Sequence, residues 1–196
     1  TRAFRAFYEN YDGVHGGFGR APKFPSPHTL LFILRYYSRT GDEDAFAVAE
    51  TTLKKMAAGG IHDQIGGGFH RYSVDREWFV PHFEKMLYDQ AMLLRAYSEM
   101  YQLTQDPLYA KTARGIADYV LTALTDPEGG FYSAEDADSL EPEVDGLKTK
   151  GVTHAHKTAR NKEGAFYVWY ASEVRKLLTE KEFAVARLVF GIDDNG

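Results

Sequence analysis

Apolar positions along the chain recur mostly at spacings of three and four, the period of helices with one buried face. Over residues 27–39 the run is nearly continuous (Leu30, Leu31, Ile33, Leu34, Tyr37) and predicts a well-buried helix that Gly41 ends. Asp42 is placed to cap the next helix, which shows Phe46, Ala49, Leu53 and Met56 on one face and stops at Gly59-Gly60. A longer stripe (Phe83, Met86, Leu87, Gln90, Leu94, Tyr97, Tyr101) predicts one helix over about 81–103, with Pro81 in its first turn. Asp106-Pro107 then starts a helix whose core face is Ala113, Ile116, Ala117, Val120, Leu121 and Leu124. Two shorter helices are expected near 171–178 and 181–189, and Phe4, Phe7 and Tyr11 form a stripe at the start. The pattern is that of an all-α chain built from paired helices.

Between the helices lie glycine-aromatic segments: Gly16-Gly17-Phe18-Gly19, Gly66-Gly67-Gly68-Phe69-His70-Arg71-Tyr72, Gly129-Gly130-Phe131-Tyr132 and Gly164-Ala165-Phe166-Tyr167-Val168-Trp169. They form a loose internal repeat, each unit reading as helix, turn or short strand, and helix again. Residues 141–163 are polar with few apolar anchors and predict a mobile loop. The chain has no initiator Met, is helical in pattern from Phe4, and stops in a turn-like stretch after Phe190. It therefore reads as a single helical domain over 1–196 that is a piece of something longer.

Composition narrows the function. Thirteen Tyr and thirteen Phe are many, and such rings line sugar and small-molecule clefts as well as cores. A net charge of −5 argues against a nucleic-acid surface and a polybasic membrane patch. With no cysteine, disulfides, cysteine metal sites and thiol chemistry are excluded, and a reducing cytoplasm fits. No apolar run approaches the ~20 residues of a membrane span, and the first residues do not make a signal peptide.

The densest chemistry lies over 61–91, with His62, Asp63, His70, Asp75, Trp78, His82, Glu84, Tyr88, Asp89 and Gln90 beside a triple-glycine turn. On the expected helix, His82, Lys85 and Asp89 share a face, as do Glu84 and Tyr88, while Glu84 and Asp89 diverge by roughly 140°. His82 and Glu84 would occupy the first turn, where helix N-termini meet ligands. The plainer alternative is that those two cap the helix while Asp89 pairs with Lys85. A second cluster, Glu135-Asp136-Ala137-Asp138-Ser139, crowds carboxylates, so one can hold its proton and act as an acid. The same oxygens suit a hard cation, although the calcium-loop spacing is missing; a solvated acidic turn is the plainer reading. Around Lys23, the glycine-rich stretch lacks the phosphate-loop pattern and reads as a rigid, proline-bracketed loop that brings Lys23 or Phe24 to a cleft. His154 and His156 read as exposed loop residues, without zinc spacing. Neither a metal nor a cofactor is assigned.

Several of these segments occur together in a known order. Gly17-Phe18-Gly19 with Pro22-Lys23-Phe24-Pro25, the runs 66–75 and 81–91, Ser133 to Ser139, and Gly164 to Trp169 resemble the family that includes bacterial YyaL and spermatogenesis-associated protein 20. The resemblance runs over about 11–178. It implies the first part of a large helical region of the six-hairpin glycosidase type, a partial (α/α) toroid with short hairpins at the glycine-aromatic turns. It also implies a thioredoxin-like domain elsewhere in the full-length chain. The related toroids hydrolyse or isomerise sugars, a likeness of fold only.

The expected function is accordingly carbohydrate-active, as a glycoside hydrolase or a sugar epimerase or isomerase, or else carbohydrate-binding. Glu84, His82, Asp89, Asp136 and Asp138 would carry proton transfer. Trp78, Phe69, Tyr72 and Tyr132 would stack on sugar faces, with Lys23, His62, Asp63, His70, Tyr88 and Glu135 completing the contacts. The alternative is a non-catalytic scaffold or chaperone-like module serving the thioredoxin-like domain. Half a toroid leaves apolar faces uncovered, so self-association of the chain is also expected.

Overall fold

The computed structural model describes residues 2–140 and 161–193. These fall into two compact units divided after Ala137. The first unit opens with α1 (Arg2–Tyr8) and holds two helical hairpins: α2 (Pro27–Thr40) with α3 (Glu43–Ala58), and α4 (Leu87–Thr104) with α5 (Pro107–Ala123). Two-residue connections make each pair antiparallel neighbours, and α2 packs on α4 to join the hairpins. Local chemistry sets the ends. Gly41, at φ 67°, donates its N–H to Tyr37 O and closes α2. Asp42 accepts from Ala45 N to open α3, and Asp106 accepts from Leu108 N to open α5. The core is the shared apolar stripe of these helices, with Leu30, Ile33, Leu53, Met56, Tyr97 and Ile116 fully buried.

Two of the glycine-aromatic segments prove to be the same turn. Asp12 N–H donates to Gly17 O and Gly16 N–H to Asp12 O; Asp63 N–H donates to Gly68 O and Gly67 N–H to Asp63 O. In both, the Asp side chain caps the turn and the following Phe bridges back across it, Phe18 to Tyr11 and Phe69 to His62. A third turn, Asp126 to Gly130 with Phe131 bridging to Thr125, is one residue shorter. In the first two turns a buried lysine from downstream closes the loop. Lys23 Nζ donates to Asp12 Oδ2 (2.7 Å) and Gly16 O (2.8 Å), and Lys85 Nζ donates to Asp63 Oδ2 (2.8 Å) and Gly67 O (3.0 Å).

The single helix expected over 81–103 is corrected: α4 begins only at Leu87. Before it, β2 (Pro81–His82) pairs with β1 (Tyr72–Ser73), and β3 (Lys85–Met86) pairs with β4 (Ala134–Glu135). The cause is non-local pairing. Arg71 N–H donates to Glu84 O and Leu87 N–H to Ser133 O, so distant segments take the backbone groups that a helix would have used. The face-sharing expected of His82, Lys85 and Asp89, and of Glu84 and Tyr88, lapses with that helix.

In the second unit, β5 (Asp138–Leu140) pairs antiparallel with β6 (Asn161–Glu163), and Ser139 Oγ accepts from Phe166 N in a 3-10 turn, Ala165–Tyr167. β6 covers the last three residues of the expected mobile loop; the rest of that loop, with His154 and His156, lies outside the described residues. α6 (Ala171–Leu177) and α7 (Glu180–Phe190) follow, the latter opened by a reciprocal Thr179–Glu182 capping box. α7 leaves Leu188 and Phe190 exposed.

Candidate functional site

The first unit carries an open cleft of ≈ 400 Å³ between the N-terminal ends of α2 and α4, lined by Phe24, Pro25, His28, Tyr88, Asp89 and Met92 among others. Phe24 stands there because its neighbour Lys23 is pinned, both through its ammonium and by backbone hydrogen bonds in each direction with Ser73. Half-exposed, the Phe24 ring lies against Tyr72 at 4.9 Å, and Tyr72 stacks on His82 at 4.8 Å with the planes 17° apart. His82 Nε2 comes within 3.8 Å of Glu84 Oε2, and Glu84 Oε2 takes a 2.7 Å ion pair from Arg71. The Arg71 guanidinium is held above its ordinary pKa first by Glu84, with the Tyr88 hydroxyl also bonded to it. A connected series of side chains thus leaves the cleft at Phe24 and returns to it at Tyr88.

Asp89, in the first turn of α4, completes the wall. It is 7% exposed, and its Oδ2 has no hydrogen-bond partner among the described residues. Burial pushes its pKa up to about 6; the Arg71 charge opposes this and the Glu84 charge adds to it. The carboxyl therefore exchanges a proton near neutral pH, which suits proton transfer. The plainer alternative of an Asp89–Lys85 pair is excluded, since Lys85 Nζ is bonded to Asp63.

Other expected site residues are elsewhere. Lys23 is fully buried on Asp12 and under Trp78, so it reaches no cleft. Trp78 is itself fully buried, its Nε1–H donating to His15 O, and Phe69 is buried between His62 and Tyr97; neither ring offers a face to a ligand. Gln90 explains why Phe69 is fixed, accepting from its N–H (2.8 Å) and donating to its carbonyl (2.6 Å). His70 is 2% exposed, and burial, with the Lys85 charge next, lowers its pKa to about 4. Glu135 accepts from Tyr119 OH at 2.6 Å beside the Lys85–Asp63 pair. His62 and Asp63 line a separate, smaller cleft of ≈ 220 Å³ with Gln64, Lys111 and Thr112. The glycine turns therefore do not gather all the candidates at one mouth. Asp136 is exposed, Tyr132 is half-exposed and bonded to Asp126, and Asp138 is exposed in the second unit. Arg71 and His28 were not foreseen. Arg71's signal was its place three residues after the triple glycine, while His28 carried none.

Human spermatogenesis-associated protein 20 is 50% identical to this chain over 184 residues, covering 92% of the chain, and the mouse protein is 48% identical over the same length. This chain is similar to a segment of spermatogenesis-associated protein 20 over nearly its whole length. It spans 22% of the length of those relatives. No protein-family model matches it. Among solved structures, a cellobiose 2-epimerase from Spirochaeta thermophila superposes with a TM-score of 0.63 at 19% identity, over 74% of this chain and 40% of that one. A family 76 glycoside hydrolase from a bovine Bacteroides thetaiotaomicron strain gives 0.58 at 19% identity, over 71% and 30%. The likeness shows the fold: this segment is a partial (α/α) toroid of the six-hairpin glycosidase type.

Proposed function

We propose that this segment carries a carbohydrate site of the full-length protein, in the cleft walled by Phe24, Tyr88, Met92 and Asp89. The observation that carries the reading is Asp89, a buried carboxyl with an unpartnered oxygen, set among rings. Sugars need this combination, an apolar surface for the C–H face of the ring and polar groups for its hydroxyls. Arg71 and Glu84 act on Asp89 through their charges, and His28 lines the cleft, so a second carboxylate and an imidazole belong to its surroundings. Two carboxyls are the working set of a glycosidase, and a base beside a carbonyl-adjacent carbon is that of an epimerase or isomerase. Cellobiose 2-epimerases and a family 76 glycoside hydrolase share the fold, which supports the carbohydrate reading without choosing a reaction.

The test is binding. Mono- and disaccharides are titrated against the full-length protein and its Glu84→Gln and Asp89→Asn variants, following melting temperature and heat of binding. A sugar that stabilises the wild type and loses its effect in Asp89→Asn supports the site. No sugar-dependent change in any of the proteins would return the domain to the scaffold reading.

A further inference from the structure

We infer that the cleft takes a neutral, hydroxyl-bearing ring and discriminates against anionic sugars, with the Asp89 carboxyl accepting a ligand hydroxyl. This rests on the carbohydrate reading above and goes further by naming the ligand's charge class.

The argument is a balance of groups around one wall. Arg71 is already committed: Glu84 takes its ion pair and the Tyr88 hydroxyl is bonded to it. Its charge is thereby balanced by Glu84, which leaves Asp89 as the net charge a ligand meets. Asp89 lines the cleft with 7% of its surface exposed, and a carboxylate there offers acceptors only, so this wall asks for a hydrogen-bond donor. The anionic group of a uronate or sugar phosphate supplies no donor and adds a charge beside two carboxylates, an arrangement that Coulomb repulsion opposes. The amide groups at the starts of α2 and α4 pull the other way, since helix N-termini favour negative charge. In α4 that preference is met by Asp89 itself, in the first turn. In α2 the first residue is Pro27, which has no N–H to give. What remains is a need for donors at Asp89 and for an apolar face at Phe24 and Met92. A hydroxyl both donates and accepts, so a neutral polyol ring meets all of it. The raised pKa of Asp89 agrees, because a carboxyl without a donor is stabilised by keeping its own proton.

The experiment compares matched sets on the full-length protein at pH 7: neutral hexoses and their disaccharides, the corresponding uronates, and the corresponding 6-phosphates. Affinities are read by calorimetry for wild type, Asp89→Asn and Phe24→Ala. At least one neutral sugar is expected to bind about 10-fold or more tightly than its uronate or phosphate. Asp89→Asn should weaken the neutral sugar by about 10- to 100-fold, the range for losing a hydrogen bond to a charged group, and narrow the gap to the anions. Phe24→Ala, at a half-exposed position, should weaken every sugar together and leave the gap unchanged. A uronate or phosphate that binds as tightly as its neutral counterpart overturns this inference while leaving the carbohydrate site standing. So does a neutral sugar indifferent to Asp89→Asn. If no sugar of any class binds, both fall.

Discussion

Lys85 and Asp63 form an ion pair in which the lysine side chain is 1% exposed and the carboxylate 13%. Lys23 and Asp12 repeat it at 0% and 2%. The copies differ in one respect: Asp12 also receives Arg76 through both oxygens, whereas the ion pairs of Asp63 include only Lys85 among the described residues. Removing one partner of a buried pair costs about 3–5 kcal/mol because the other charge is stranded. Lys85→Met strands Asp63, but Lys23→Met leaves Asp12 with a cation. We expect Lys85→Met to be the more destabilising of the two by about 1–2 kcal/mol. Urea denaturation of both variants checks the order, and equal losses would show that Arg76 does not compensate.

The same turns predict unequal costs for alanine. A Cβ on Gly17 would lie 2.5 Å from Trp78 Cζ2, at φ 76°, and the buried indole has no room to retreat. Gly130 has φ 91° and nothing within 4 Å. Gly130→Ala should therefore cost only the left-handed backbone, about 1–2 kcal/mol. Gly17→Ala should cost at least twice as much and shift the emission of Trp78 to longer wavelength as its packing opens. Similar melting temperatures for the two variants would contradict this account.

Within the site, Arg71 links the two carboxyls. Glu84→Gln removes a charge that raises Asp89 and frees Arg71 to face it, so the Asp89 pKa should fall below about 6. Arg71→Met removes the charge that lowers it, and the Asp89 pKa should rise instead. Carbon-detected NMR titration of the Asp89 carboxyl reads both directions. The stability cost of either change should stay near 1 kcal/mol, because the Arg71–Glu84 pair is partly exposed at 39% and 24%.

How much of this was readable in advance follows from how far apart the partners lie in the chain. Both hairpins, with their Asp42 and Asp106 caps and the Gly41 stop, depend on neighbours within four residues, and the sequence pattern locates them. Residues 81–86 do not: Phe83 and Met86 continue a helical stripe, but Tyr72, Arg71 and Ser133 claim the backbone. Nothing local announces that Lys23 and Lys85 are buried, because lysine is ordinarily at the surface and the Asp that receives each lies 11 or 22 residues upstream. Asp89 was found for its company of ionisable neighbours. What makes it distinctive, an oxygen sealed off without a partner, is a property of packing.

Asp89 and His70 give the last prediction, because their titrations oppose each other. Asp89 has a folded pKa of about 6 against an ordinary 3.8, so its stabilisation is present below about 3.8 and is lost as pH rises through 6. His70 has a folded pKa of about 4 against an ordinary 6.5, so its stabilisation is present above 6.5 and is lost as pH falls towards 4. Each shift corresponds to about 3 kcal/mol at most. Between pH 6.5 and 4 the two nearly offset, and the wild type should lose little stability from this pair. Asp89→Asn removes one arm. It should be more stable than wild type at pH 7, by about 1–3 kcal/mol, because the buried charge is gone. It should then lose about 3 kcal/mol on acidification from 6.5 to 4 as His70 is forced to protonate. His70→Gln should show the reverse, gaining stability over the same range as Asp89 takes up its proton. Melting curves at half-unit pH steps separate the three proteins, and parallel pH profiles would mean that neither group titrates as its surroundings dictate.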